Sequence, residues 1–395
     1  MPYHPAAEQL RVFLELARNP KHKQLLSGVR LLMVQHVVAN TEEMIRHLAG
    51  AGVEIFRLIS KPYSHDTEVA KKVGERVAGI DVKAFAEAQS TQYIPDLLNE
   101  AVEASRGDGR KILLWDIGGY FAAHIEKIPA ESQKFFVGVV EDTTFGHNIY
   151  QQLVGKMSMP VFSVARSQLK DIEARYVGRD AVDAASIALR EIGILASGRN
   201  ALVLGYGMIG RNVARALQQR DFKVHVYDKK DCLNLQAYTN GFHIHQKSEL
   251  LKCADIIFSA TAETGLTFDD MKNCRDNVVL ASVGSNNTEF EIDALSAQAS
   301  KQEQLSGKVV RYVLPWSKDI MVIKGGTPVN FLLPGLPTEV MDLVFSEMLY
   351  CSFRLLSETK DKDRAREGVL NTLPNDVLDK IAHDWLQFAN MGAGR

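Results

Sequence analysis

The stretch ALVLGYGMIGRNVARAL, residues 201–217, carries Gly205, Gly207 and Gly210 in the spacing G-x-G-x-x-G. The spacing alone is a weak signal, because glycine is common and many tight turns reproduce it. Its flanks decide the reading. Residues 201–204 form a short apolar run suited to a strand buried on both faces, and Ile209, Val213, Ala214 and Leu217 recur at helical spacing. A second strand at 223–227 ends in Asp228, about 20 residues past the loop, where a dinucleotide-binding unit places the carboxylate that accepts hydrogen bonds from a ribose diol.

Strand, glycine turn, helix, strand and acid thus stand in Rossmann order. Glycines there let the backbone approach a pyrophosphate, whose charge lies against the unpaired N–H groups at the start of the helix opened by Met208 and Ile209. The expected cofactor is NAD rather than NADP, since a carboxylate repels a 2′-phosphate. Lys229 and Lys230 follow directly, and either pair with a phosphate or face solvent.

The chain has 395 residues, enough for two domains with separate cores, and its 46% hydrophobic and 24% charged composition is that of a globular protein. A net charge of -2 gives no electrostatic case for nucleic acid or an anionic membrane as partner. The first residues lack the apolar core of a signal peptide and no run long enough to span a membrane occurs, so a cytoplasmic location is expected. The four cysteines form no C-x-x-C pair, which argues against a zinc knuckle or a disulfide framework.

Upstream of the glycine loop, RLLMVQHV, VEIFRLI, KILLWDIGG and FFVGVVED read as strands separated by helical patterns such as 41–51 and 93–104. That alternation predicts a parallel, doubly wound sheet. Asn40 with Glu43 has the spacing of a capping box. Residues 179–194 read as a long helix connecting two α/β domains. The expected organisation is a substrate-binding domain over 1–180, with 345–395 packing back on it, and a Rossmann domain over 181–344. ADIIFSAT and NVVLASVG supply further strands, a helix follows Pro337, the charge run KDKDRARE reads as solvated, and a last helix covers 376–388.

The motifs beyond the loop resemble those of the adenosylhomocysteinase family, in the same order. They are QHVVANTEEMIRHLAGAGVEI, WDIGG, VEDTTFGHNIYQQL, LGYGMIG, SVGSNNTEFEID, GGTPVNFLLPGLPTEVMD and LPNDVLDKIAHDWL. The resemblance implies a nucleoside substrate whose 3′-hydroxyl gives hydride to bound NAD, which acidifies the neighbouring carbon. Elimination of homocysteine, water addition and re-reduction then follow. It also implies a homodimer or homotetramer, with the apolar helix after Pro337 as the assembly helix.

On the cofactor side the resemblance places Thr143 and Thr144 at the nicotinamide end, Thr261 after the fourth strand, Val283 and Gly284 in the loop closing over NAD, and Asn330 beside the nicotinamide. Phe145 replaces the last threonine of the family's run, and the sequence stops at MGAGR without the family's lysine- and tyrosine-bearing tail, so readier exchange of NAD is expected.

On the substrate side the match is broken. His36 keeps the histidine of the family's H-x-T-x-E motif, whereas Val38 and Asn40 replace its threonine and glutamate. Asp116 remains in WDIGG, but Ile117 stands where the second of two paired acids belongs, and Asp142 shortens a glutamate. An ungapped match puts Leu169 on the catalytic lysine and Glu173 on the aspartate; a one-residue insertion puts Arg166 and Asp171 there; Lys170 serves only if the helix register differs from both. Ser285 and Asn286 replace a histidine. Since each missing acid–base group costs typically 10²- to 10⁴-fold in rate, ordinary hydrolysis of adenosylhomocysteine is not expected.

The candidate catalytic set is therefore His36, Asp116, Asp142, Lys170, Asp171 and Glu173. His36 reads as a site residue at a strand end or as a core histidine, and Asp116, Glu141 and Asp142 as site acids or helix caps. His65 and Asp66 lie near the family's substrate loop or start a helix, and Trp115 and Phe145 wall a ring or pack a core. His243 and His245 alternate on a strand without a third metal ligand. Three functions compete. The first is an NAD-dependent oxidoreductase acting on a hydroxyl of a nucleoside or sugar-like substrate. The second is a non-catalytic binder of NAD or nucleoside, and the third a 2-hydroxy-acid dehydrogenase.

Overall fold

A computed structural model of the chain describes residues 9–76, 82–84, 87–284, 287–357 and 365–391. The chain divides into two compact units, the first built from residues 1–173 and 337–395 and the second from 174–336.

In the first unit, apolar runs form β1 (Val29–Val37), β2 (Glu54–His65), β3 (Val82–Ala84), β4 (Lys111–Asp116), β5 (Phe136–Glu141) and β6 (Val161–Ser163). In the second, β7 (Asn200–Leu204), β8 (Lys223–Tyr227), β9 (His243–Ile244), β10 (Ile256–Ser259) and β11 (Val278–Ser282) are joined by β12 (Lys301–Gln304), β13 (Val309–Leu314) and β14 (Lys318–Ile323). A late strand, β15 (Leu370–Asn371), returns to the edge of the first sheet beside β6.

The first sheet runs β15-β6-β5-β4-β1-β2-β3, with every pair parallel. The second runs β12-β13-β14-β11-β10-β7-β8-β9, parallel from β14 to β9. Both therefore contain the doubly wound order of a Rossmann sheet, in which ligands bind beyond the strand C-termini where the winding reverses. The reversal falls between β1 and β4 in the first unit and between β7 and β10 in the second. The expected α/β class, with two doubly wound domains and an NAD-binding Rossmann domain second, is what the chain adopts.

Several local readings are corrected. The connecting helix is Gln168–Glu191, starting well before residue 179. The helix Thr338–Leu356 packs against the helix Arg11–Arg18 and β5, so it belongs whole to the first unit and the division falls at 336/337 rather than 344/345. Val344, Met348, Leu349 and Cys351 on it have no exposed surface, so much of its apolarity is accounted for by packing within one chain. Asn40 does not cap its helix. It lies buried inside Ala39–Gly50, while Glu43 reaches the amides of Gln9 and Leu10 at 2.9 and 3.0 Å. The antiparallel pair β12–β13 went unread because KQEQ is polar throughout. Most of KDKDRARE lies outside the described residues.

Candidate functional site

The glycine loop of the second unit shows why each glycine is there. Gly205 has φ +88°, and a Cβ on it would sit 2.6 Å from the Ala260 carbonyl oxygen. A Cβ on Gly210 would lie 1.9 Å from the Gly205 carbonyl oxygen, so only glycine lets the helix Met208–Gln218 pack this closely on the loop. At Gly207, by contrast, nothing lies within 4 Å of a Cβ, and the residue caps the helix in extended conformation. That combination leaves an open, donor-lined approach at a helix N-terminus flanked by the half-buried Met208 and Ile209, the cradle a pyrophosphate requires.

Asp228 closes the cradle from the end of β8, its Oδ2 accepting from the Tyr206 amide at 2.8 Å and its Oδ1 from the Lys230 amide at 2.9 Å. The acid thereby ties the end of β8 to the glycine loop. Lys229 is engaged by Glu263, which weakens the case for a 2′-phosphate site. Asp228→Ala should weaken NAD binding by roughly 1–3 kcal/mol by isothermal calorimetry, since the ribose hydroxyls lose a charged acceptor. Equal affinities would place the ribose elsewhere.

The loops opposite are held by a residue that motif reading missed. Glu289 is fully buried and accepts from Ser259 Oγ at 2.5 Å, Thr261 Oγ1 at 2.8 Å, the Thr261 amide at 3.0 Å and the Ala262 amide at 2.8 Å. Burial pushes its carboxyl upward, against that set of donors. Thr261 thus has its hydroxyl on Glu289, and a Cβ on Gly284 would meet the same carboxylate at 2.3 Å. Val283 continues β11 by donating to the Ser259 carbonyl oxygen at 2.8 Å. Asn330 is half-buried in the turn Val329–Leu332, just after Lys324, Gly325 and Gly326, all with positive φ. Ser285 and Asn286 lie outside the described residues.

In the first unit, His36, Asp116, Glu141 and Asp142 stand at or just past the ends of β1, β4 and β5. The pairing of β1 with β2 jumps from Gln35↔Ser60 to Val37↔His65, so the residues between bulge out and turn toward His36. Ser64 Oγ lies 2.5 Å from His36 Nδ1, and the Tyr63 ring centre 6.0 Å from the imidazole. The bulge also delivers Lys61, which has no exposed surface and packs its ammonium 5.2 Å from the Tyr120 ring centre. A Cβ on Gly118 would come within 2.6 Å of Lys61 Nζ. Burial, then Lys61, then Lys170 hold His36 well below its ordinary value, so it is neutral at pH 7. No motif marked Lys61; only the register jump exposes it.

Asp116 is engaged in the fold. Its oxygens accept from the Tyr120 and Phe121 amides, each at 3.0 Å, and from Tyr150 Oη at 2.8 Å, with no surface exposed. These bonds fix the loop after β4. Glu141 does the same for two loops, accepting from Gly118 at 3.0 Å and from Thr143 at 2.6 Å, and burial with nearby Asp116 pushes it upward. Ile117 is wholly buried in an apolar cluster, so no acid faces outward from this turn. Thr143 gives its hydroxyl proton to Glu141 at 2.7 Å and accepts from Gly146, while Thr144 is exposed at the start of the helix Thr144–Gln152.

Lys170 is where alignment failed and geometry answers. The helix Gln168–Glu191 turns Leu169 into the core and sends Lys170 Nζ between Asp142, at 2.8 Å, and Glu173, at 2.7 Å. The carboxylates at Nζ are these two and not Asp171, which is half-buried in the first turn; Arg166 is exposed and bonded to Asn148. Burial works against the ammonium, but Asp142 and Glu173 outweigh it and raise Lys170 above its ordinary value. Asp66 caps the helix Thr67–Arg76, Trp115 donates to Ser352 Oγ in the core at 2.9 Å, and Phe145 is half-buried. Among the described residues no group of histidines, cysteines and acids could hold a metal, His243 and His245 included, and no helix is long and apolar enough to cross a membrane.

Residues 176–333 match the model of the S-adenosyl-L-homocysteine hydrolase NAD-binding domain. Over 394 residues the chain is 28% identical to an adenosylhomocysteinase of Saccharolobus solfataricus, covering 98% of this chain and 90% of that protein. It is 27% identical over 376 residues to an adenosylhomocysteinase of Thermotoga maritima, covering 93% and 89% respectively. An S-inosyl-L-homocysteine hydrolase of Methanosarcina mazei is 28% identical over 346 residues, covering 85% of this chain and 80% of that one. The family model indicates NAD as the cofactor, in accord with the loop geometry.

Proposed function

We propose that this chain, which belongs to the adenosylhomocysteinase family, is an NAD-dependent enzyme that oxidises a hydroxyl of a nucleoside or sugar-like substrate and hydrolyses adenosylhomocysteine poorly. The observation that carries this reading is the set of groups in the first unit. His36, near the end of β1, is neutral and Lys170, in the first turn of the helix Gln168–Glu191, is charged, while the residue after Asp116 is the apolar, buried Ile117.

NAD, when bound, supplies the acceptor for hydride from the carbon that bears the hydroxyl. His36, neutral at pH 7, can take the hydroxyl proton, and the Lys170 ammonium can stabilise charge developing on the oxygen. A lysine held this firmly protonated binds an oxygen well but gives up its proton reluctantly. It suits oxidation better than the proton shuttling that elimination and water addition demand. Asp116 and Glu141 are engaged by backbone amides and cannot substitute for the missing acid without disturbing their loops.

A second reading, hydrolysis of a different S-nucleosyl-homocysteine, is suggested by the relative named S-inosyl-L-homocysteine hydrolase. One assay separates the two. The purified protein with NAD is offered nucleosides, cyclic sugars and both adenosyl- and inosyl-homocysteine, while NADH absorbance and free thiol are followed. The expected result is NADH from at least one hydroxyl substrate and no thiol above background from adenosylhomocysteine. Efficient thiol release from adenosylhomocysteine would overturn the proposal. Release from the inosyl compound alone would establish the second reading, and silence throughout would favour a binding protein.

A further inference from the structure

We infer that Glu347 is a positioning residue for Lys170, acting through Ser167; the inference rests on the functional reading just given. Glu347 belongs to the buried helix Thr338–Leu356, far along the chain from the strand-end residues, and only 1% of it is exposed. Ser167 Oγ donates to Glu347 Oε2 at 2.6 Å, and the same Oγ accepts from the Lys170 amide at 3.0 Å. A hydroxyl has one proton, so with that proton on Glu347 its lone pairs point at the helix. Ser167 thereby becomes an N-terminal cap whose rotamer is set from outside its own helix. Lys170 sits in the capped turn, and Nζ leaves it directly for Asp142 and Glu173. Small errors in that turn are magnified along four methylenes, so a fixed cap is what a placed ammonium needs.

The chemistry of Glu347 gives this contact a second property. Burial pushes its carboxyl up to about 8, with Asp142 adding to the shift and Ser167 and Lys170 opposing it, so at pH 7 the group is mostly neutral. The charged groups facing it are Asp142, from the loop after β5, and Lys170. On its own helix Cys351 is a buried thiol whose ionisation Glu347 opposes, and Asp342 is turned to the helix Arg11–Arg18, whose Val12 and Phe13 amides it caps, each at 2.9 Å. Ionisation of Glu347 would bring a further negative charge to the cluster and draw Lys170 away from a substrate oxygen.

Three variants test this: Glu347→Gln, Glu347→Leu and Ser167→Ala. The first readout needs no substrate. Amide exchange at Lys170 should be faster in Glu347→Leu and Ser167→Ala, on the order of tenfold, and close to wild type in Glu347→Gln, which still accepts from Ser167. The second uses whichever hydroxyl substrate is turned over. Glu347→Leu should lower kcat about tenfold or more with little change in KM, and Glu347→Gln should rescue it to within about twofold at pH 7. Wild-type activity should fall as pH rises through about 8, and in Glu347→Gln that fall should vanish. Unchanged Lys170 exchange in both disruptive variants, or an alkaline fall that persists in Glu347→Gln, would overturn the inference. If no substrate is oxidised at all, the functional reading fails while the exchange experiment still decides the role of Glu347.

Discussion

Lys170→Met will destabilise the protein by about 3–5 kcal/mol near pH 8, the usual consequence of removing one partner from a buried ion cluster. Asp142 and Glu173 both sit within 2.8 Å of Lys170 Nζ, and the three side chains are at most 12% exposed. Without the ammonium, two carboxylates face each other in a poorly solvated site. The penalty should depend on pH in a definite direction. Burial already raises Glu173 and Lys170 opposes that rise, so the substitution lifts Glu173 further. A folded-state value above the unfolded one contributes stability fully below the unfolded value and loses it as pH rises through the folded value. The variant should therefore approach wild type in mild acid and fall behind as pH rises.

In the wild type the raised Lys170 contributes stability that is complete below its unfolded value and is lost only in strong alkali. Urea unfolding of both proteins at pH 5 and pH 8 measures the difference. A Lys170→Met variant within about 1 kcal/mol of wild type at pH 8 would show that the cluster is not closed as described. Adding Asp142→Asn and Glu173→Gln to Lys170→Met should restore most of the loss, because the destabilisation belongs to stranded charge rather than to lost packing.

The same cluster shows where sequence reading reaches its limit. Apolar runs such as KILLWD and NALVL report burial on both faces and so announced the parallel strands, and the glycine loop with Asp228 announced the cofactor unit from local chemistry alone. Lys170 was a candidate that neither register of the family match reached, because its direction depends on where the helix begins, which the Ser167 cap decides and residue matching does not record. Lys61 depends on a bulge, a property of two strands paired rather than of either sequence. Glu347 lies in a run read only for its apolar period, and the partner that explains it is 180 positions away. Asp116 was legible as a strand-end acid, yet the destination of its oxygens, two amides and a tyrosine, is set by the loop after β4 and by a helix further on. Local pattern thus carried the fold, and the ambiguous residues were those whose role is set by long-range partners.

The glycine loop gives the last prediction, in which two substitutions of the same kind three residues apart should fail differently. In Gly210→Ala the new methyl would lie 1.9 Å from the Gly205 carbonyl oxygen and 3.6 Å from Val203 Cγ1. The first of these is rigid backbone, so the helix Met208–Gln218 must move away from β7, opening a contact that Val213, Ala214 and Leu217 make with no exposed surface. Such overpacking costs roughly 1–3 kcal/mol and sometimes more. NAD affinity should fall with it, because the helix N-terminus shifts. In Gly207→Ala the methyl meets nothing, and φ -72° with ψ -162° suits any residue. Stability should then change by less than about 0.5 kcal/mol, as for a surface substitution. The methyl instead occupies the approach that a pyrophosphate needs, and NAD binding should weaken about tenfold or more, equivalent to about 1.4 kcal/mol or above. Thermal unfolding and calorimetric titration with NAD on both variants separate the outcomes. If Gly207→Ala binds NAD as wild type does, the pyrophosphate does not lie over this turn, and the cofactor's place in the second unit must be sought at another strand end.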